Sequence, residues 1–367
     1  MGRSRTYRLS LALVVMLTLP GVAIAQTQRF SLDAVAAADG DLGSSVPRKP
    51  TVWLDLFGAA SITKNLDLRA RPVVFRRSFD GTWQTQMYEL ALRYERPGTV
   101  GVRVEAGQFT SPIGLSILEN RPDKNPVISQ HSTLYLPIPR VSIAKPTTTY
   151  ENGTPTTWLL AAAYPAGAKI TLSGAKWDAR AAVIDSSPIR GRPFFGANKP
   201  PRLANVVAGF GFTPHIGVRF GVAAGTGSYA AAKEVRDPAR GDRRATLAQV
   251  EGEWAFRYTR IAGEFLWTRR GLATQDATVN GGWIEFTQTL TPRVWVGSRY
   301  DEQYTDWNSV PDGRPQHEPY RRVESVIGFR VLPEVTLRAS YLTRKGYVVA
   351  FWDDQFLASV VFAKKLH

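Results

Sequence analysis

The stretch ALRYERPGTVGVRVEAGQFTSPIGLSILENRPDKN, residues 91–125, decides the fold that we predict. Its first half alternates apolar and polar side chains on both sides of a Pro-Gly turn, a pattern typical of a β-hairpin. One face of this hairpin is apolar, and the other carries Arg93, Glu95, Arg103 and Glu105. A soluble sandwich buries its apolar face, whereas a membrane barrel turns that face to lipid and its charges to a wet lumen. The other strand-like segments must decide between these architectures.

The N-terminus has the three parts of a secretory signal peptide. Arginines precede an apolar run, which ends at the small-x-small cleavage site Ala23-Ile24-Ala25. We predict that residues 1–25 are a signal peptide and that residues 26–367 form one domain; an N-terminal anchor helix is the alternative. Beyond this run, no apolar stretch approaches the roughly 18–20 residues of a spanning helix. A membrane-embedded chain would therefore span as strands.

The composition narrows the possible partners. The chain contains no cysteine and has a formal net charge of +15. A basic chain suggests nucleic acid, an anionic membrane or small anions as partners. Export argues against nucleic acid, and the sequence has no phosphate-binding loop, zinc-type cluster or recognition-helix pattern. We expect no cofactor and no bound metal, with lipid and small anionic or neutral solutes as partners.

Strand-like segments continue along the chain and total sixteen when 30–37 is counted. That first segment could equally be an unpaired arm, but an even barrel with both ends on one side needs it. A loop is expected over 39–50, and strands over 156–164 and 169–185 are expected on either side of a turn at 165–168. Short turns alternate with long connections rich in Gly, Pro and Asn, which is typical of outer-membrane barrels. We predict an all-β, antiparallel, up-and-down transmembrane barrel of about 16 strands, with 14 or 18 as alternatives.

Charged side chains recur on one face of these strands, with more arginine than acid. The acids include Glu264 and Glu324. A wet lumen with fixed positive charge favours anions; solvated ion pairs with little selectivity are the alternative. The arginines that we predict to line an anion path are Arg69, Arg71, Arg103, Arg257, Arg299, Arg330 and Arg338.

The longest connection, 110–155, is predicted to fold into the lumen and to narrow it. So long a connection is usually functional or disordered. Its apolar content argues against a freely solvated loop, although an external loop packed on its neighbours or a subunit contact would also explain it. The residues that we assign to this constriction are Pro112, Gly114, Glu119, Arg121, Asp123, Lys124 and Arg140.

This region resembles the strand-to-constriction-loop region of porins of the phosphate-selective O/P type. In that family the strand ends in Gly-Gln-Phe or a close variant, and a loop containing Pro and Gly then enters the pore. The matching positions here are Gly107, Gln108, Phe109, Pro112 and Gly114. The resemblance implies an outer-membrane porin that acts as a homotrimer. Phosphate-specific members carry a lysine and arginine ladder, whereas the lumenal cations expected here are arginines accompanied by acids.

We therefore expect a porin that lets small hydrophilic solutes diffuse passively through the outer membrane, in contact with its lipid and lipopolysaccharide, with a preference for anions. The alternatives are a non-conducting barrel that serves as a scaffold or adhesin, a soluble exported β module, and an outer-membrane hydrolase. A hydrolase needs a nucleophile and a base within reach of each other. His131 beside Ser132, and His317, could contribute, but no GxSxG elbow occurs. We predict no enzymatic activity.

Overall fold

The computed structural model describes residues 30–44, 50–76, 81–131, 164–184, 205–230, 243–271, 276–306, 319–346 and 349–366. The predicted signal peptide, Arg140, Ser132, His317 and nearly all of the strand expected over 156–164 lie outside these residues.

Within the described residues, sixteen β-strands form a closed antiparallel barrel. Each strand pairs with its neighbours along the chain, and the first strand pairs with the last, so the sheet has no free edge. The predicted sixteen-stranded barrel is confirmed. Among the described residues, no helix has the length and apolar character needed to cross a membrane. The strands are β1 Phe30–Ser44, β2 Thr51–Thr63, β3 Leu66–Arg76, β4 Trp83–Arg96, β5 Gly101–Gln108, β6 Ala166–Ser173, β7 Trp177–Ile184, β8 Asn205–His215, β9 Val218–Ala230, β10 Arg243–Phe256, β11 Thr259–Gly271, β12 Asp276–Thr289, β13 Val294–Asp306, β14 Tyr320–Leu332, β15 Val335–Gly346 and β16 Val349–Lys365.

The two faces of the sheet are inverted relative to a soluble protein. Along β12, Ile284 is 56% exposed on the outside, while the next residue, Glu285, is 1% exposed on the inside. The same alternation places Phe265 outside and Glu264 inside on β11. Closing the strands pairs their backbone groups with one another, which a segment in lipid requires. The apolar outer face and charged inner face are those of a membrane barrel.

Several strands extend further than the alternation indicated. β1 continues to Ser44 through part of the loop expected over 39–50, and Asp39 pairs with Ser359 of β16. β16 begins at Val349, whereas alternation in the sequence indicates this strand only from Gln355 to Phe362. Ladder pairing continues beyond the apolar band, where both faces of a strand can be polar. The alternation signal is lost there although the backbone pairing is not.

The prediction for the sixth and seventh strands was wrong. The structure has a strand, β6, where the turn at 165–168 was expected, and the single strand expected over 169–185 is interrupted by a turn at 174–176. In that turn the Gly174 N–H donates to the Trp177 carbonyl over 2.8 Å. Pro165 with Gly167 looked like a turn, whereas the real turn was hidden inside an alternating run. Within 166–184 the structure thus has two strands, β6 and β7, where one was expected, and the described strands total sixteen.

Candidate functional site

The chain leaves the wall after β5 and crosses the interior of the barrel. Residues 109–131, here called the crossing segment, contact opposite walls. Asn120 donates to the Tyr164 hydroxyl over 2.5 Å, and that hydroxyl also accepts from Arg71 of β3 over 3.0 Å. Ser116 donates to Glu264 of β11 over 2.5 Å. β3 and β11 are eight strands apart in a ring of sixteen, so they lie on opposite sides of the lumen.

Glu264 fixes the first half of the crossing segment. Its carboxylate accepts the Leu115 N–H over 2.7 Å, the Ser116 N–H over 3.1 Å and the Ser116 hydroxyl. The preceding residue, Gly114, has a φ of +90°, and a Cβ there would lie 2.8 Å from a Glu264 oxygen. A carboxylate that accepts several N–H and O–H groups makes strong, charge-assisted hydrogen bonds. The turn at Gly114 therefore brings the backbone directly against β11.

Glu324 on β14 fixes the second half in the same way. It accepts the Ile128 N–H over 2.9 Å, the Ser129 N–H over 3.1 Å and a short hydrogen bond from the Ser129 hydroxyl. In both halves a buried wall carboxylate binds two successive backbone N–H groups and the serine hydroxyl of the second residue. Sequence reasoning recognised these glutamates only as inward charges, because nothing in the local pattern shows which residues they bind.

Arg338 on β15 binds the carbonyl groups of the same half. It donates to Pro122 over 3.2 Å, to Asn125 over 2.8 Å and to Val127 over 2.9 Å. Its other terminal nitrogen donates to the Ser359 hydroxyl over 2.9 Å. The side chain lies inside the barrel, where Nη1 is bound to the crossing segment and Nη2 to β16.

Arg299 and Arg71 also bind groups inside the barrel. Arg299 of β13 is fully buried and donates to the Asn125 side chain over 3.1 Å, with an ion pair to Asp301 at 3.2 Å. Arg71 is paired with Asp55 of β2 at 2.6 Å. Three of the seven predicted path arginines, including Arg338, thus hold the interior together.

The apolar residues of the crossing segment pack on an apolar area of the inner wall. Phe109, Ile113 and Ile117 belong to one buried cluster with Leu247 and Leu266, and other members come from strands around the barrel. Burying side chains of this size contributes roughly 1.5–3 kcal/mol each. This packing explains why a connection between two strands of a wet barrel is rich in apolar residues.

Two titratable groups of the crossing segment are buried against charged partners. Burial raises the pKa of Glu119, and Arg260, which makes a short ion pair with it, opposes this shift. Burial also holds the pKa of His131 well below its usual value, and the nearby Arg299 lowers it further. His131 Nε2 lies 3.2 Å from a Glu119 oxygen.

Most of the remaining predicted residues are paired with acids or exposed to solvent. Arg69 pairs with Asp67 at 3.0 Å, and Arg103 pairs with Glu95 at 3.1 Å. In the crossing segment, Pro112 is buried. Arg121 pairs with Asp123 at 2.7 Å, and the Lys124 side chain is 61% exposed.

Arg257 is not on the inner wall. It is exposed in the two-residue turn between β10 and β11, with a φ of 52°, and its guanidinium lies over the Phe256 ring. The sequence analysis extended β10 by one residue, to Arg257. It therefore predicted this side chain on the inner wall, whereas it lies in the turn.

Arg330 borders an open cavity of about 590 Å³ at the end of the barrel with the short turns. The charged side chains that line this cavity are Asp123, Lys124, Arg293, Arg330, Glu334 and Arg338. We call this space the vestibule. Four of its charged groups are basic and two are acidic.

Comparison with known proteins identifies the fold. No protein-family model matches the sequence, and no curated protein matches it. The structure matches the Salmonella typhi OmpF complex with daunomycin with a TM-score of 0.59 and 11% identity, covering 91% of this chain and 97% of that one. It matches the anion-selective porin from Comamonas acidovorans with a TM-score of 0.56 and 8% identity, covering 91% and 98%.

A third match is the outer membrane channel DcaP of Acinetobacter baumannii, with a TM-score of 0.55, 9% identity and coverage of 91% and 96%. At these identities the likeness shows the fold. The chain thus has the barrel fold of outer-membrane porins and channels, and the comparison does not reach the phosphate-selective subtype.

Proposed function

We propose that this protein is an outer-membrane porin through which small hydrophilic solutes diffuse passively. The observation that carries this proposal is a closed barrel with an apolar exterior and a charged interior, crossed by a segment fixed to opposite walls. In this proposal the segment narrows the lumen but leaves a path for solutes, and the pore selects by width and fixed charge. The signal peptide, outer-membrane location and homotrimer expected from the sequence belong to this proposal.

The proposal includes a preference for anions, which the vestibule supports. Its lining carries four basic groups and two acids; of the basic groups, Arg338 is bound to the crossing segment, whereas Lys124 and Arg330 are exposed there. Because fixed charge at a narrow entrance raises the local concentration of counter-ions, this excess favours anions. The path arginines bound to the crossing segment contribute less than the sequence indicated, since acids and carbonyl groups surround them. The proposal does not extend to phosphate specificity, because the expected lumenal cations are arginines accompanied by acids and no lysine ladder was found in the sequence.

A non-conducting barrel is the second candidate, and the crossing segment is the specific observation that favours it. Its apolar packing fills part of the lumen. A hydrolase at His131 has less support, because this imidazole is fully buried against Glu119, Arg299 and Trp283 and is not accessible to a solute.

Planar-bilayer recording of the folded protein tests the proposal. We expect stable conductance steps. Across a potassium chloride gradient we expect a reversal potential with the sign of an anion-selective pore. Replacing chloride with phosphate on one side then measures phosphate preference. Steps with cation preference would retain the porin and reject the vestibule argument. A folded barrel without steps would reject the porin in favour of a non-conducting barrel.

A further inference from the structure

Three potential metal ligands meet where the crossing segment touches β12. Glu119 and His131 come from opposite halves of that segment, and Glu285 comes from the wall. One carboxylate oxygen of each glutamate and a ring nitrogen of His131 lie within 4.8 Å of one another. Glu119 is 8% exposed, Glu285 is 1% exposed and His131 is fully buried.

The two glutamates each use one oxygen and leave the other without a hydrogen bond. Arg260 binds Oε1 of both residues, with a short contact to Glu119 and a distance of 3.1 Å to Glu285. Oε2 of each carboxylate is buried and has no hydrogen-bond partner. Buried carboxylate oxygens are normally satisfied, so two unsatisfied atoms in one cluster indicate a missing partner. His131 Nε2 lies 3.2 Å from the free Glu119 oxygen.

The charged side chains around the cluster include more carboxylates than guanidinium groups, which favours a bound cation. The neighbouring charged side chains are Glu119, Glu285, Glu253 and Asp301 on the acidic side, with Arg260, Arg299 and Arg322 on the basic side. Four carboxylates thus face three guanidinium groups. Arg299 Nη1 donates a hydrogen bond to the His131 ring, 3.3 Å from each ring nitrogen, and lies 3.7 Å from Glu285 Oε2; the bond to His131 must be released when a ring nitrogen binds an ion. Arg299 Nη1 lies beside the free oxygens and makes no hydrogen bond with Glu285 Oε2.

We propose that Glu119, His131 and Glu285 form a binding site for a divalent transition-metal ion, with Zn²⁺ as the matching probe. Two carboxylate oxygens and one imidazole nitrogen are a ligand set typical of Zn²⁺, Mn²⁺ and Fe²⁺. Metal–ligand bonds of about 2.0–2.2 Å require only a small closing of these side chains. The ion bonds to both free oxygens and to the imidazole, and it ties both halves of the crossing segment to β12.

The test measures metal binding to the untagged full-length protein in detergent after treatment with a chelator. We expect about one Zn²⁺ per chain in a competition titration with a chromogenic chelator. Glu285→Gln and His131→Asn are each expected to weaken binding by at least about tenfold, the lower end of the losses found when groups that support a metal are removed. Matched controls are Glu302→Gln and His215→Asn, which change an outward glutamate on β13 and an exposed histidine at the end of β8.

Several outcomes would overturn the site. These are no saturable Zn²⁺ binding by the unmodified protein, binding that survives both ligand substitutions, or equal loss in the controls. The heat-dependent gel shift of an intact barrel shows which variants are folded. Should a ligand variant fail to fold, visible absorption of Co²⁺ bound to the unmodified protein decides, since ligation by imidazole and carboxylate shifts the aqueous Co²⁺ spectrum. These measurements do not depend on whether the barrel conducts.

Discussion

Replacing Glu264 with alanine should release the first half of the crossing segment and raise the conductance of the pore. The substitution removes the acceptor for two backbone N–H groups and one hydroxyl, those of Leu115 and Ser116. The second half remains attached to Glu324 and Arg338. We therefore expect the segment to move away from β11 rather than to leave the lumen completely.

The expected loss of docking free energy of the crossing segment follows from the number and charge of these hydrogen bonds. Each hydrogen bond to a charged group contributes about 1.5–3 kcal/mol, and a buried donor without a partner carries a further cost. Water entering the vacated space recovers part of this energy. A net loss of about 3–4 kcal/mol in the docking free energy remains. Because about 1.4 kcal/mol is tenfold in a population, the undocked segment becomes more than about 100-fold more common.

Single-channel recording at about 1 M salt is the assay, because the Debye length of about 3 Å there screens the effect of the lost charge. We expect larger and noisier conductance steps for Glu264→Ala. The matched control is Glu251→Ala on the neighbouring β10, a buried glutamate bound to Arg180, Arg219 and Gln249 and not to the crossing segment. Equal conductance of the two folded variants would refute the reasoning that Glu264 holds the segment.

Other changes test other parts of the molecule. Arg338→Ala should lower the free energy of unfolding by about 3 kcal/mol, because it leaves carbonyl groups of the crossing segment unpaired; denaturant titration measures this. Lys124→Glu should shift the reversal potential toward cation selectivity. Lys64→Glu should not, because Lys64 lies outside the vestibule, in the short turn between β2 and β3 at the same end of the barrel. Phe265→Arg, on the outer face, should impair barrel insertion by about 2–4 kcal/mol, and Leu290→Arg, in a turn, should be tolerated.

Each of these expectations has a clear contrary result. A denaturation midpoint for Arg338→Ala within error of the unmodified protein would mean that water replaces the guanidinium without loss. A shift of equal size for the two lysine variants would locate selectivity outside the vestibule. Normal insertion of Phe265→Arg would show that this part of the outer face does not contact lipid.

The fold could be predicted because alternation reports which way a side chain points. The neighbours Ile284 and Glu285 illustrate this, and the same rule repeated over many strands gives a barrel. Prediction failed where alternation carries no information. The turn at Gly174 lay inside a continuous alternating run, and in the last part of β1, residues 39–44, the glycine, aspartate and serine residues interrupt the alternation.

The site could be predicted only in part, because its contacts join residues far apart in the chain. The sequence placed Arg299 and Arg338 on the inner face, but it could not show that they bind the crossing segment. The bond between Leu115 and Glu264 spans 149 residues, and that between Ile128 and Glu324 spans 196. Local patterns do not contain such pairings. The apolar residues near Ile113 were the one available signal, and they indicated a packed segment correctly.

The seam between β1 and β16 has a consequence for the biosynthesis of this protein. Val35 pairs with Ala363, so the ring closes through residues from almost opposite ends of the chain. The last strand must have been translated before the first can find its partner, and contacts of such long range form slowly. A product that ends before β16 has two unpaired edges, which are costly in lipid and prone to aggregation. Because the barrel closes only through β16, chains that end before this strand cannot form it. We expect periplasmic proteases to degrade such truncated chains.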